Sequence, residues 1–341
     1  MCGICGVVGP RGTYADASQV HAMAARLGHR GPDGDGFFIE GPVGFGHRRL
    51  SLIDLEGGSQ PIFNEDRTIV VVFNGEIFNY RELTAALKAR GHQFVTHSDT
   101  ETLVHLYEDY GMDMLHQLRG MFAFALFDGR SGTTYLVRDR FGIKPLYYHE
   151  RLGKLWFASE VKPIIDGGYS VDVNPAAVDA YFKTRFGHTD ETIFKGVFRL
   201  PEGSYLRYHN GESSLHRYYP NPPHRSQAVD ATTADQQFEE RFHDAVQAWM
   251  VADVPVGAYL SGGIDSSIIV SEMARLTSHP VRTFCVGFEH GHSEADVAAT
   301  TAKALGCHHE TVTCGVSELL ELPAVVRSLE EPVGDGIVVA N

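Results

Sequence analysis

Two apolar runs late in the chain, 254–260 and 281–288, are continuous rather than alternating, and each is followed by a helical pattern. Runs of this kind are typical of parallel strands, which read apolar on both faces because helices cover both. From Ala234 the order is helix, strand, helix, strand, helix, a βαβ series. That restricts the last third of the chain to an α/β architecture on a parallel sheet. The part before it reads differently. Short apolar strands at 4–8, 69–73, 121–127, 135–137 and 155–158 recur with helices between only some of them, a mixed α and β pattern.

Two helices of the first part carry start signals. Asn79-Tyr80-Arg81-Glu82 has the spacing of a capping box, and its helix stops at Arg90 before Gly91. Ser98-Asp99-Thr100-Glu101 has the same spacing and opens a helix to about Tyr110. A chain of 341 residues is long enough for two domains. Turn formers with little periodicity, Asn210-Gly211-Glu212-Ser213-Ser214 and Pro220-Asn221-Pro222-Pro223, mark the change of pattern. The expected division is a domain over 2–210, a linker over 211–233 and a second domain over 234–341.

Composition excludes several classes of function. The formal net charge is −14 with His neutral, and an acidic surface repels phosphate backbones, so nucleic acid is not an expected partner. No apolar stretch approaches the roughly 18 residues of a membrane helix. Five cysteines is an odd number, with no signal peptide before them, which fits a reducing cytoplasm better than a disulfide framework.

The chain begins Met1-Cys2-Gly3-Ile4-Cys5-Gly6. If Met1 is removed, Cys2 carries both a thiol and a free α-amine, a nucleophile and a base on one residue. The amine titrates at about 7.7–8.0 in peptides, and an adjacent N-terminal amine is a recognised activator of nucleophiles. The competing reading is a Cys-x-x-Cys pair with Cys5, redox or zinc-binding, with Cys285, Cys307, His308, His309 and Cys314 as further zinc ligands.

A second motif lies in the α/β part. Leu260-Ser261-Gly262-Gly263-Ile264-Asp265-Ser266-Ser267 joins the run at 254–260 to a helix over 268–276. Two glycines allow close backbone approach, and the helix N-terminus offers unpaired N–H groups and a positive dipole end, which favour phosphate. The serines add donors, and Asp265 can hold Mg²⁺ against phosphates. No Walker lysine follows. In the first domain, Arg49 can fork onto a carboxylate, and Asn74 beside Gly75 can form an oxyanion hole. Each also has an ordinary reading, a solvated Arg and an Asn-Gly turn. Asp99 in the first turn of a helix is favoured by the dipole whatever its role.

In order and spacing, Met1-Cys2-Gly3-Ile4, His29-Arg30-Gly31-Pro32-Asp33, Arg49-Leu50-Ser51, Phe73-Asn74-Gly75-Glu76-Ile77, Ser98-Asp99-Thr100-Glu101 and Arg138-Asp139-Arg140 with Gly142, Lys144, Pro145 and Leu146 resemble the class II glutamine amidotransferases. With the loop at Ser261 to Ser267 behind them, the whole resembles the glutamine-hydrolysing asparagine synthetase family, from Cys2 to about Asp335.

The resemblance implies an α+β N-terminal-nucleophile hydrolase sandwich in αββα layers, followed by an incomplete α/β parallel-sheet ATP-pyrophosphatase domain. It implies roles as well. Cys2 attacks the glutamine side-chain amide; Asn74 and Gly75 stabilise the oxyanion. Arg49, with Leu50 and Ser51, holds the α-carboxylate end, and Glu76 and Asp99 hold the α-amino end. Leu260 and Val286 flank adenine. Ser261, Gly262, Gly263, Asp265, Ser266 and Ser267 take the pyrophosphate, with Asp265 on Mg²⁺. ATP with Mg²⁺ is the substrate complex, no prosthetic group is implied, and the implied assembly is a dimer. Ammonia passes to an acyl-adenylate of aspartate.

The family continues past the position of Asn341 with a second serine-glycine acidic loop and the helices that bind aspartate. Glu330-Glu331-Pro332-Val333-Gly334-Asp335-Gly336 also departs from the family's Asp-Glu-Pro segment. Two alternatives follow: an amidotransferase with another carboxylate acceptor, and a glutaminase or regulatory fragment without synthetase activity.

Overall fold

The computed structural model describes residues 1–167, 172–185, 190–220, 229–289 and 294–332. The chain divides into two compact units, Met1–Pro222 and Pro223–Asn341.

In the first unit the strands are β1 (Gly3–Val8), β2 (Gly34–Glu40), β3 (Val43–Arg49), β4 (Ile62–Phe63), β5 (Ile69–Ile77), β6 (Gly120–Asp128), β7 (Thr133–Arg138), β8 (Tyr147–Arg151), β9 (Lys154–Ala158), β10 (Val197–Arg199), β11 (Ser204–His209) and β12 (Glu212–Arg217). They form two six-stranded sheets, ordered β10-β8-β9-β1-β3-β2 and β12-β11-β7-β6-β5-β4. All the strand pairs within them are antiparallel. Their facing sides close on one core. Ile4 and Val8 of β1, Val43 and Phe45 of β3, Val70 and Val72 of β5, and Ala123 and Ala125 of β6 meet within it. Each such apolar side chain larger than alanine contributes about 1.5–3 kcal/mol on burial.

Helices cover the outer sides. Cys5 and Val7, the alternate residues of β1, pack under Met23 and Ala24 of α1 (Ala17–Ala25) and under Leu27 just after it. On the other sheet lie α2 (Tyr80–Ala89) and α3 (Glu101–Tyr110). The four-layer αββα order implied by the resemblance is present.

The two capping boxes are not. Asn79 spends its side chain on the 117–119 segment instead, donating to the Gln117 carbonyl at 2.9 Å and accepting from the Arg119 amide at 3.0 Å. Glu101 turns away from its helix end to accept from the Val95 and Thr96 amides at 2.8 and 2.7 Å. Gly91 does follow α2 as expected, with φ at +106°.

The expected start of the linker at 211 is also corrected. Asn210 and Gly211 both have positive φ, 49° and 92°, as a tight hairpin turn requires. They join β11 to β12, so residues to Arg217 belong to the second sheet. Of the expected linker, 221–228 lie outside the described residues.

The second unit opens with α6 (Ala231–Trp249), after two further helices of the first unit, α4 (Lys162–Asp166) and α5 (Pro175–Thr184). Asp230 caps α6, its carboxylate accepting from the Thr233 amide at 3.0 Å. Three parallel strands follow in the order β13 (Gly257–Tyr259), β14 (Arg282–Phe288), β15 (His308–Cys314). They alternate with α7 (Ile264–Leu276) and α8 (Ala295–Ala304). Leu260, Val270, Cys285, Ala298 and Ala302 form the core between them.

The expected strand at 254–260 shortens to β13. Pro255 has no amide hydrogen for a ladder, and of that run only Leu260 is buried. In β14 burial alternates, Thr283 and Cys285 inside and Phe284 and Val286 partly open, so this strand is not covered on both faces.

Candidate active site

Three strands of the sandwich carry their inward side past the end of the apolar core. In β1 that side runs back from Ile4 to Cys2. In β3 it runs from Phe45 through His47 to Arg49, and in β5 from Val70 and Val72 to Asn74 and Glu76. Because strand side chains alternate with a period of two, residues read off three distant segments converge on one end of the sandwich. Asp99 joins them from the loop before α3. Together Cys2, Arg49, Leu50, Asn74, Gly75, Glu76 and Asp99 line one cleft. Ser51 does not line it; its amide donates to Asp33 Oδ2 at 2.8 Å and fixes the neighbouring turn.

The same alternation puts Cys5 on the opposite side of β1 from Cys2. Cys5 is fully buried beneath α1, and burial pushes its thiol up to about 12. The two thiols therefore share no ligand or redox partner.

Cys2 is held from both sides. Its carbonyl accepts from Arg30 Nε at 3.0 Å, and Arg30 is in turn paired with Glu160 at 3.1 Å. Its Sγ accepts from the Leu50 amide at 3.4 Å and lies 3.5 Å from the Leu50 carbonyl. With Met1 attached, burial raises the Cys2 thiol above its usual value, against the pull of the Leu50 amide. Burial also lowers the α-amine of Met1, and Met1 itself lines the cleft.

Asn74 is 1% exposed, and neither Nδ2 nor Oδ1 has a hydrogen-bond partner among the described residues. A buried amide left unpaired costs about 1–3 kcal/mol, so its place on the wall with Cys2 marks it as a donor for a ligand. Gly75 beside it has no room for a side chain: a Cβ there would lie 2.2 Å from the Met121 carbonyl oxygen. Arg49 is oriented by two carbonyls, donating to Asp54 O at 2.5 Å and Leu55 O at 3.2 Å. These take two of its five N–H groups.

Asp99 is buried and accepts from the Ile77 amide at 2.8 Å. Burial is the main force that pushes its carboxyl up to about 6, and neighbouring Glu76 adds to it. Glu76 is itself raised by burial, while Lys144 draws it back. His47, deeper in the same face, is kept neutral by burial, its pKa down to about 3.

The cleft contains residues to which sequence reasoning gave no role. Lys144 is buried in the same cleft as Glu76, and burial lowers its pKa while Glu76 draws it back. Its signal was a lone lysine inside the apolar stretch Ile143-Lys144-Pro145-Leu146. Gln60 accepts from the Phe73 amide at 2.6 Å and reaches Thr100 Oγ1 at 3.4 Å, bracing the wall behind Asn74. Arg30 lies outside the lining but sets the Cys2 backbone.

In the second unit the Ser261 loop is internally bonded. Gly263 caps α7, so Asp265, Ser266 and Ser267 sit in its first turn rather than before it. The Ser261 amide donates to Ser266 Oγ at 3.1 Å, the Gly263 amide to Ser261 Oγ at 3.1 Å, and Ser267 Oγ to the Gly263 carbonyl at 2.8 Å. The Gly262 amide is taken by the carboxylate of Glu294 at 3.0 Å, an anion at the position expected to receive one. Asp265 is exposed, Leu260 is buried with its amide on the Phe284 carbonyl at 2.8 Å, and Val286 lies on β14.

A fold of two antiparallel sheets between helices, with a cysteine at the head of a central strand facing a buried amide, is that of an N-terminal-nucleophile amidotransferase. The chain belongs to the glutamine amidotransferase family, whose domain matches residues 1–219, and the asparagine synthase domain matches residues 237–340.

Asparagine synthetase [glutamine-hydrolyzing] 1 of Bacillus subtilis (strain 168) is 38% identical over 341 residues, covering 98% of this chain and 54% of that protein. Asparagine synthetase [glutamine-hydrolyzing] of Zea mays is 36% identical over 338 residues, covering 94% and 52%. The chain spans about half the length of the curated relatives it matches. A solved structure of the allosteric regulatory enzyme of purine biosynthesis shares the fold, with TM-score 0.52 at 16% identity over 92% of this chain and 80% of that one.

The two N-terminal thiols should separate in alkylation. Iodoacetamide on the native chain is expected to label Cys2 at a rate still climbing at pH values where an ordinary cysteine has levelled off, because burial holds this thiol above its usual value. Cys5 should stay unlabelled until the protein is unfolded. Peptide mapping that found Cys5 modified in the native state would contradict the packing described.

Proposed function

We propose that the first unit hydrolyses the side-chain amide of glutamine, with Cys2 as nucleophile after Met1 is removed. The observation that carries this reading is the unpaired amide of the buried Asn74, on the wall of the cleft that holds the Cys2 thiol. Attack by sulfur on the amide carbon forms a C–S bond and places negative charge on the carbonyl oxygen. Asn74 Nδ2 and the Gly75 amide supply donors for that charge. The freed α-amine of Cys2 takes the thiol proton and returns it to the leaving ammonia. Water then cleaves the thioester to glutamate. Arg49 receives the α-carboxylate, with Leu50 beside it, and Glu76 and Asp99 receive the α-ammonium.

We propose further that the second unit belongs to an ATP-driven amidation in which the ammonia is transferred to a carboxylate, with aspartate as the acceptor and asparagine as the product. The Ser261 to Ser267 loop at the head of α7 suits a pyrophosphate, as helix N-termini do. Asp265 suits Mg²⁺ carried on the phosphates, and Leu260 and Val286 suit adenine. Phosphate can reach the Gly262 amide only when the Glu294 carboxylate leaves it. Exchange of labelled pyrophosphate into ATP that requires aspartate tests this half; exchange that instead requires a different carboxylate would replace aspartate as the acceptor.

Incubation of the chain with glutamine should yield glutamate, and Cys2→Ala should abolish it while leaving the fold intact by circular dichroism. Asn74→Ala should lower kcat by roughly 10²–10³ with little change in KM, the usual cost of one oxyanion donor. Arg49→Ala should instead raise KM. Identical kinetic signatures for the two variants would refute their separate roles.

The pH dependence has a defined sign. Asp99 must be ionised to receive an ammonium group, and its carboxyl titrates at about 6 in the free protein. kcat/KM for glutamine, which reports free-enzyme groups, should therefore be sustained above that value and fall as pH drops through it. Asp99→Asn should lower kcat/KM throughout and remove that acid limb. A wild-type profile flat from pH 5 to roughly 7 would sink the assignment of the α-ammonium to Asp99.

A further inference from the structure

Away from the cleft, three segments of the first unit bring four potential metal ligands together. Glu65 lies in the turn between β4 and β5, His92 follows α2, and His105 and Glu108 stand one turn apart on α3. One ligand atom of each lies within 4.8 Å of all the others. His92 Nδ1 is 3.4 Å from Glu65 Oε1 and 3.7 Å from Glu108 Oε2. His105 Nδ1 is 3.3 Å from Glu65 Oε2 and 3.4 Å from Glu108 Oε2. These separations are long for charge-assisted hydrogen bonds, about 2.7–2.9 Å. Three of the four, at 3.3–3.4 Å, are close to the edge of a tetrahedron, about 3.3 Å, around an ion with bonds of about 2.0–2.1 Å, with Glu65 meeting the two rings through different oxygens.

The outer contacts point the same way. Each imidazole turns its other nitrogen to a separate carboxylate: His92 Nε2 is 3.3 Å from Asp109 Oδ1 and His105 Nε2 is 3.6 Å from Glu101 Oε1. The carboxylate behind His92 favours the tautomer that leaves its Nδ1 free for a metal, whereas His105 Nε2 makes no hydrogen bond to Glu101 at its longer distance. The two glutamates are steadied as well. Glu65 Oε1 accepts from the Gln93 amide at 3.0 Å, and Glu108 Oε1 from Asn64 Nδ2 at 2.8 Å. Four carboxylates thus surround two imidazoles. Arg90, 2.8 Å from Asp109, is the guanidinium paired at the edge of the group. Protonating both rings instead would place two like charges with ring centroids 4.8 Å apart. His105 is fully buried, while Glu65 also lines a cavity with Asn64, Gln93 and Glu101.

We propose that Glu65, His92, His105 and Glu108 bind one Zn²⁺ ion. Two imidazole nitrogens and two carboxylate oxygens in a tetrahedral set suit zinc rather than Mg²⁺ or Ca²⁺, which take more oxygen ligands. With four protein ligands the site is structural. It ties α3, whose leading loop presents Asp99 to the cleft, to the β4–β5 turn and the end of α2.

The test uses the full 341-residue chain, stripped with a chelator and dialysed against Zn²⁺. Metal content is read by plasma mass spectrometry and affinity by competition with a chromophoric chelator. One zinc per chain should survive dialysis, and Co²⁺ in its place should give the intense visible absorption of tetrahedral cobalt. His92→Gln and Glu108→Gln should each lose that equivalent, and Zn²⁺ should raise the Tm of the wild type but not of these variants. Asp109→Asn, outside the ligand set, should weaken binding about 10–100-fold. Cys307→Ser should retain the ion, which separates this site from the Cys307-His308-His309 run. No dialysis-stable zinc, equal zinc in His92→Gln, or an octahedral cobalt spectrum would overturn the proposal. His92 is partly exposed and outside the cleft, so its variant carries the test even if Glu108→Gln fails to fold.

Discussion

The first unit depends on the closing of two sheet faces against each other. Ile4, Phe45, Val72 and Phe157 are buried between them, and this contact fixes the spacing at which anything beyond the apolar core must face its counterpart. Backbone ladders set which residues lie side by side within a sheet; the shared core sets what lies across. The cleft is where that core ends, and polar side chains continue the same inward rows. Its geometry is thus inherited from packing several residues away.

The groups at that end are kept at a cost. Asn74 leaves an amide unpaired, Asp99 and Lys144 are charged groups pressed out of water, and Met1 fills part of the opening. A folded protein tolerates such local penalties when the surrounding structure over-determines them, and they gather where ligands bind. Here the surroundings are the β5–β6 ladder, in which Gly75 opposes Phe122 too closely for any side chain, and the Gln60 brace onto the Phe73 amide.

Much of this was legible in the sequence. Five strands of the first unit, β1, β5, β6, β7 and β9, can be read from their apolar runs, while the order of layers and the gathering of Cys2, Arg49, Asn74, Glu76 and Asp99 are implied by the family resemblance. What escaped depends on long-range partners. The capping spacings at Asn79 and Ser98 were satisfied on paper, but the 117–119 segment claimed Asn79, and the 95–96 amides claimed Glu101. The Asn210–Gly211 hairpin did carry a local signal, the Asn-Gly pair of a two-residue turn, and its polar surroundings masked it. Gln60 gave none, and Lys144 stood in a recognisable motif with no role attached, because their importance comes from what lies across the cleft. In the second unit the apolar run at 254–260 overstated its strand, since neither composition nor periodicity registers the missing amide of Pro255 against a neighbour.

The alternation that assembles the cleft also sets how the chain can change. Loops between strands can gain or lose residues without turning a single side chain around. A one-residue insertion within β5 cannot, because every residue after it would exchange faces. Asn74 and Glu76 would point to the helices, and Phe73 and Gly75 into the cleft. The same holds for Arg49 in β3. The interiors of these strands are therefore closed to insertion and deletion, and tolerance for length variation in the first unit is confined to its connections.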